Sequence, residues 1–137
     1  MITNAQKQTL ADYFTDQPVD AVYLFGSQTT GKAKALSDVD IAVLFPDTLT
    51  DKERFDMRLS MMNDAGIITG YPDRTDVIDL QAVPLVLQYG AIANRQELMV
   101  KNRERQAVFE ADVLSKYFDY IYFLKTNTRV GLVSMAK

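Results

Sequence analysis

The sequence predicts a small α/β (α+β) domain in which helices flank a short mixed sheet. Three short apolar runs have the length and composition of strands, at residues 20–25, 38–45 and 75–80. Segments with helical periodicity lie between and after these runs. No internal repeat and no linker rich in Pro, Gly or Ser divides the 137 residues. We therefore expect a single layered domain over residues 1–137.

The first part of the chain contains one helix and one strand. Residues 4–15 are predicted to form an amphipathic helix, which ends before Pro18. The apolar run DAVYLF at 20–25 is predicted to be a strand, and it stops abruptly at Gly26. The polar segment 28–37 is predicted to be a turn with a short helix.

The middle of the chain repeats the strand-then-helix order. The run DVDIAVLF at 38–45 is predicted to be the second strand. Either Asp47 or Thr50 can cap the helix that we predict over 51–64. A loop is expected at 65–74, because two glycines and a proline occur there.

The last part of the chain is predicted to be mainly helical. The run TDVIDL at 75–80 is the third strand, and a helix then starts at Pro84 and ends near residue 94. The longest periodic segment spans 103–125, and the remainder, 126–137, is expected to be a loose tail. Six aromatic residues in this segment are more than one buried face requires, so Tyr120, Tyr122 or Phe123 is a candidate for contact with a partner.

The composition excludes several kinds of chemistry. The chain has neither cysteine nor histidine, which rules out thiolate and histidine metal sites and a histidine base. A bound metal must have oxygen ligands, which favours magnesium or manganese. The net charge of −3 and the lack of a basic run argue against a direct nucleic-acid partner. No signal-like or membrane-length apolar segment occurs, so we expect a cytoplasmic protein without a membrane partner.

The second strand begins with two aspartates on one face. Asp38 and Asp40 are two residues apart, and alternate strand residues point the same way. Their carboxylates repel each other unless a cation lies between them, and a hard divalent cation suits that geometry. A third carboxylate comes from the third strand, either Asp76 or Asp79, which lie on opposite faces. With Asp76 on the same side, three carboxylates can hold two magnesium ions across a phosphoryl displacement.

A phosphate-binding turn is predicted directly after the first strand. Gly26 lets the backbone approach a phosphate closely, and the hydroxyl of Ser27 adds a hydrogen-bond donor. Lys32 and Lys34 occur in the same loop and can neutralise a triphosphate. These residues therefore complement the carboxylates with groups that bind a nucleotide.

The segment FGSQTTGKAKALSDVDIAV resembles the signature of the DNA polymerase β-like nucleotidyltransferase superfamily. In that family Gly-Ser is followed by ten residues and then by Asp-x-Asp, and here the gap also has ten residues. The strand TDVIDL resembles the strand that carries the third family aspartate, with Asp76 at that position. The resemblance implies the polymerase β-like fold and ATP as substrate. The implied site residues are Asp38, Asp40 and Asp76 for catalysis and metal binding, and Gly26, Ser27, Lys32 and Ser37 for nucleotide binding.

Within this superfamily the chain resembles the antitoxin of HEPN/MNT toxin–antitoxin pairs. The segments that carry this likeness are VIDLQAVPLVLQYGAIANRQELMV and RQAVFEADVLSKYFDY. The resemblance implies a protein adenylyltransferase that moves AMP from magnesium-bound ATP to a tyrosine of a cognate HEPN ribonuclease toxin, in a hetero-oligomer with it. Two alternatives stay open: an antitoxin that acts by binding alone, and a nucleotidyltransferase for small molecules.

Overall fold

The computed structural model describes residues 2–26 and 38–136, with side chains as far as residue 127. In this part the chain forms four α-helices, four strands and one 3-10 turn. The helices are α1 (Asn4–Thr15), α2 (Asp51–Thr69), α3 (Leu85–Ala93) and α4 (Arg103–Ala136). The strands are β1 (Ala21–Phe25), β2 (Val39–Leu44), β3 (Thr75–Asp79) and β4 (Gln96–Val100), and Pro72–Arg74 forms the 3-10 turn.

The four strands form one mixed sheet in the order β3-β2-β1-β4. β1 pairs antiparallel with both β2 and β4, whereas β2 and β3 are parallel. A parallel pair needs a crossover connection, and α2 provides it between β2 and β3. The predicted fold class, a small mixed sheet flanked by helices, is therefore confirmed.

Two hydrophobic cores lie on opposite faces of this sheet, because successive strand side chains point to opposite sides. One core lies under α1 and α2 and includes Leu24, Ile41 and Val77 from the strands. The other lies under α3 and α4 and includes Ala42 and Ile78. The side of the sheet to which each strand side chain points therefore follows directly from its position in the sequence.

Both helices of the first layer begin with a capping box. Thr3 and Gln6 exchange side-chain-to-backbone hydrogen bonds at the start of α1, and Thr50 and Glu53 do the same at the start of α2. Such a box satisfies backbone N–H groups that have no partner inside the helix. Of the two caps considered for the second helix, Thr50 is the one that the structure contains.

The second helix is longer than predicted. α2 continues to Thr69 rather than ending near residue 64, so the first half of the loop expected at 65–74 is α-helical. Gly66 lies inside the helix, where a Cβ would come within 2.9 Å of the Cα of Pro72. Gly70 is the true C-cap, with a left-handed φ of +78°. The first glycine thus permits close packing, and only the second ends the helix.

The C-terminal part of the chain differs from the predictions in two ways. The prediction omitted β4, which runs along the edge of the sheet and is only partly buried. The last helix was expected to end near residue 125, but α4 continues to Ala136, so the predicted loose tail at 126–137 is wrong as far as Ala136. Neither difference changes the placement of the first three strands.

The long helix α4 packs on the sheet only along its first half. Gln106 is buried and donates a hydrogen bond of 2.7 Å to the hydroxyl of Tyr23 on β1. Burial raises the pKa of Tyr23 to about 12, so its hydroxyl stays neutral at physiological pH. From Phe118 to residue 127 every side chain except Ile121 is exposed. Over the described residues, no helix has both the length and the apolar character that a membrane crossing requires.

Candidate active site

The structure brings the aspartates of the second and third strands together. Asp40 on β2 and Asp76 on β3 are register partners in the parallel pair. Neighbouring strands lie about 4.8 Å apart, and partners in register point to the same face, here the face of Ala42 and Ile78. Asp38 lies two residues before Asp40, directly before the first residue of β2.

The electrostatics of this cluster centre on Asp40, which is half-buried. Burial raises the pKa of the Asp40 carboxyl, and the negative charges of Asp38 and Asp76 raise it further. A carboxylate destabilised in this way gains from any cation that enters the cluster. The donor set consists only of carboxylate oxygens, which fits a hard divalent cation such as magnesium or manganese.

Two arginines currently act as counter-ions of the outer carboxylates. Arg58 of α2 contacts Asp76 with an N–O distance of 3.4 Å, and Arg74 of the 3-10 turn lies 3.8 Å from Asp38. Among the described residues, no three acidic side chains are close enough together to hold a metal ion as they stand. A divalent cation would therefore compete with these two guanidinium groups for the same oxygens.

Gly26 closes the other side of the cluster, at the end of β1. Its φ of +75° lies in the left-handed region that side chains disfavour. A Cβ at this position would lie 2.9 Å from Oδ2 of Asp40, because Phe25 and Asp40 are register partners. Both the backbone conformation and the close approach of the carboxylate therefore require glycine.

The remaining predicted nucleotide-binding residues are Ser27, Lys32 and Ser37, and with them Lys34. They lie outside the described residues, so their roles stay predictions from the sequence. Of the predicted nucleotide-binding set, the structure describes only Gly26. Its position beside Asp40 brings the start of this loop next to the carboxylates.

Asp79, the alternative third carboxylate, has a different environment. Its Oδ2 accepts a hydrogen bond of 2.7 Å from Arg54 on α2, and its Oδ1 accepts one from the backbone N–H of Gln81. The pair with Arg54 is nearly enclosed, since 5 % of the Asp79 side chain is exposed. Asp76, not Asp79, therefore lies next to Asp40.

The pair between Arg54 and Asp79 predicts a stability effect that is separate from catalysis. We expect Asp79→Ala to lower the free energy of unfolding by about 3 kcal/mol, because it leaves a buried guanidinium without its main partner. Asp51→Ala is the matched control, because Asp51 contacts the same arginine at 2.6 Å with an exposed carboxylate. Its cost should stay below about 1 kcal/mol. Urea unfolding measures both, and equal losses would contradict the assignment.

The sequence did not single out the arginines of the site. Arg54 and Arg58 are one helical turn apart on α2, and both reach strand β3. The available signal was that the two arginines are four residues apart and so lie on one face of an amphipathic helix. The same spacing is common for charged residues on solvent-exposed helix faces. Only the packing of α2 against β3 distinguishes the two cases.

Paired carboxylates on neighbouring strands, beside a glycine turn, are an arrangement suited to metal-assisted transfer of a phosphoryl or nucleotidyl group. The family model described as polymerase beta, nucleotidyltransferase matches residues 8–104. The match covers more than half of the chain, and the protein belongs to this family. No curated protein sequence matches the chain significantly.

Several solved structures with the same fold are chains from toxin–antitoxin complexes. One is from a toxin–antitoxin crystal structure with AMP-PNP, with 24% identity, a TM-score of 0.66, and coverage of 86% of this chain and 90% of that chain. A chain of the MntA–HepT complex has 21% identity, a TM-score of 0.65 and coverage of 86% and 89%. A chain from the complex of the tri-AMPylated Shewanella oneidensis HEPN toxin with MNT antitoxin has 21% identity, a TM-score of 0.59 and coverage of 83% and 88%. These likenesses extend over most of each chain and concern the fold.

Proposed function

We propose that this protein is an antitoxin that transfers AMP from magnesium-bound ATP to a tyrosine hydroxyl of a cognate HEPN ribonuclease toxin, in the cytoplasm. The observation that carries the proposal is the register of Asp40 with Asp76, next to Gly26. Membership of the nucleotidyltransferase family supports the reaction class. The fold shared with chains of toxin–antitoxin complexes, one of which contains an AMPylated toxin, supports the acceptor.

The reaction has a defined balance of bonds. The acceptor oxygen forms a bond to the α-phosphorus of ATP, the bond from that phosphorus to the bridging oxygen breaks, and pyrophosphate leaves. The hydroxyl gives its proton to Asp76 when this carboxylate acts as base, or to solvent water when Asp76 would act as a metal ligand. Asp38 and Asp40 would hold a divalent cation that neutralises the charge of the nucleotide phosphates, while Gly26 leaves room for the phosphates.

The three aspartates are the residues that would hold magnesium or manganese. When bound, such an ion supplies Lewis-acid stabilisation of the charge that develops on the phosphate oxygens. The raised pKa of Asp40 and the purely oxygen donor set are the observations that support this fit. Such an ion would take over the carboxylate oxygens that Arg58 and Arg74 now contact.

Intact-mass spectrometry tests the proposal. The purified protein, magnesium-ATP and the cognate HEPN protein are mixed, and the mass of each chain is measured. We expect the HEPN protein to gain one or more AMP units, and we expect no gain when Asp38 and Asp40 are both replaced by asparagine. Stable complex formation without any mass gain would contradict the proposed chemistry.

Neutralisation by binding alone is the second candidate, and the exposed aromatic side chains of α4 favour it. Phe118, Tyr122 and Phe123 are each more than half exposed on the part of the helix that extends past the sheet. Such side chains are enriched in protein interfaces. A catalytically inactive Asp38/Asp40 variant that still protects cells from the toxin would support this candidate.

A further inference from the structure

A pocket of about 600 Å³ lies at the exposed edge of β3, and one of its lining residues, Arg58, contacts Asp76 of the proposed site. We name it the β3-edge pocket, and its main lining residues are Arg54, Phe55, Arg58, Ile78, Gln81 and Val83. Pockets of this size are suited to enclosing a small ligand or a short segment of a larger one. β3 is the outermost strand on this side, so the pocket is open to a partner.

Arg58 connects the pocket to the carboxylates. Its guanidinium donates to the backbone carbonyl of Val77 and reaches Oδ1 of Asp76 at 3.4 Å. Ile78, another wall of the pocket, lies on the same face of β3 as Asp76. Arg58 and Ile78 therefore connect the wall of the pocket to Asp76, which is not itself part of the lining.

The strand order places the pocket on the side of Asp76 and Asp40 that is opposite to Gly26. The spatial order across the sheet is the pocket, then β3 with Asp76, then β2 with Asp40, and then β1 with Gly26 at its end. In-line transfer requires the attacking group and the leaving group to lie on opposite sides of the phosphorus. A nucleotide held from the Gly26 side leaves the β3 side for the acceptor.

The lining of the pocket suits an aromatic peptide segment. The ring of Phe55 is 55% exposed, and Ile78 and Val83 add apolar surface, against which an aromatic side chain can pack. The guanidinium of Arg58 can lie over such a ring. The Oε1 of Gln81 is buried and accepts no hydrogen bond from any described residue, and a turn of this side chain toward the pocket would let it accept one from a backbone N–H.

We propose that the β3-edge pocket binds the acceptor segment of the protein substrate, a tyrosine and its neighbouring backbone, and presents the hydroxyl to Asp76. This assignment rests on the function proposed above. Phe55 packs against the tyrosine ring, and Gln81 accepts a hydrogen bond from the acceptor backbone. Neither residue contacts the nucleotide, so both determine affinity for the acceptor and not for ATP.

Steady-state kinetics with the cognate HEPN protein test this assignment. Phe55→Ala should raise the KM for the HEPN protein about tenfold, and Gln81→Leu should raise it several-fold, while the Kd for AMP-PNP stays within about twofold of wild type. Ile67→Ala is the matched control, because Ile67 is 70% exposed on the same helix but lies about 18 Å away along its axis. The control should leave both constants unchanged. Unchanged acceptor KM values in both pocket variants would overturn the assignment.

Photocross-linking separates docking from chemistry. The cross-linker p-benzoylphenylalanine is introduced in place of Phe55 or, as control, in place of Ile67, and the HEPN protein is added. We expect a cross-link from position 55 to a peptide of the HEPN protein that contains the modified tyrosine, and none from position 67. A cross-link without AMP transfer by the wild-type chain would refute the proposed reaction but retain the docking site. AMP transfer with no cross-link from position 55 would refute the docking site alone.

Discussion

Replacing Asp40 by asparagine is expected to abolish AMP transfer and at the same time to stabilise the folded chain. The loss of activity follows because Asp40 lies between Asp38 and Asp76 and is the proposed metal ligand nearest to both. A metal ion contributes several kcal/mol to stabilisation of the transition state, so kcat should fall about a thousandfold or more. The gain in stability follows because burial and two neighbouring charges disfavour the Asp40 carboxylate, as its raised pKa indicates.

Two measurements on the same preparation check this prediction. Transfer of AMP is followed by intact mass, and thermal unfolding in metal-free buffer should show a melting temperature raised by about 3 °C. Asp12→Asn on the outer side of α1 is the control, since Asp12 is exposed, and it should alter neither property. A lower melting temperature in Asp40→Asn would mean that lost activity reflects a damaged fold, and wild-type activity would refute the role of Asp40.

Local pattern was sufficient to predict the elements that form the centre of the sheet. β1, β2 and β3 are short apolar runs that end at Gly26, Pro46 and the turn after Asp79, and their positions follow from those signals. β4 lacked such a signal because it lies at an edge, is only partly buried and carries Gln96 and Glu97. Its strand conformation depends on pairing with β1, which is a tertiary contact.

Helix ends were less predictable than helix starts. The capping residue Thr50 was visible in the sequence, but Gly66 and Gly70 offered two similar stop signals for α2. The choice between them depends on packing against Pro72, which lies beyond the helix. For α4, Asn127 and Gly131 are residue types that often end helices, but the helix continues past both to Ala136.

For the site, side-chain alternation predicted which carboxylates share a face, but not what neutralises them. Asp76 next to Asp40 follows from strand period and from the parallel register of β2 and β3. Arg58 is 18 positions from Asp76 in the chain, and its contact with that aspartate depends on how α2 crosses the sheet. No local pattern contains that information, and the β3-edge pocket was missed for the same reason.

Gly26→Ala is the second substitution with a large expected effect. A side chain at a φ of +75° costs about 1–2 kcal/mol of stability, and the added Cβ would lie 2.9 Å from Oδ2 of Asp40. The carboxylate must move to relieve that contact. Because displacement of a catalytic group by about 1 Å can cost about a hundredfold in rate, we expect AMP transfer to fall by about that factor.

Gly70→Ala separates the backbone cost of this substitution from its effect on the site. Gly70 has nearly the same φ, +78°, but a Cβ there would meet no atom within 4 Å. Gly26→Ala should therefore lose at least as much free energy of unfolding in urea as Gly70→Ala, whereas only Gly26→Ala should lose activity. If Gly70→Ala lost as much activity, general destabilisation would explain both results. If Gly26→Ala kept full activity, the close approach of β1 to Asp40 would have no part in catalysis, and nucleotide binding would have to depend on groups other than Gly26.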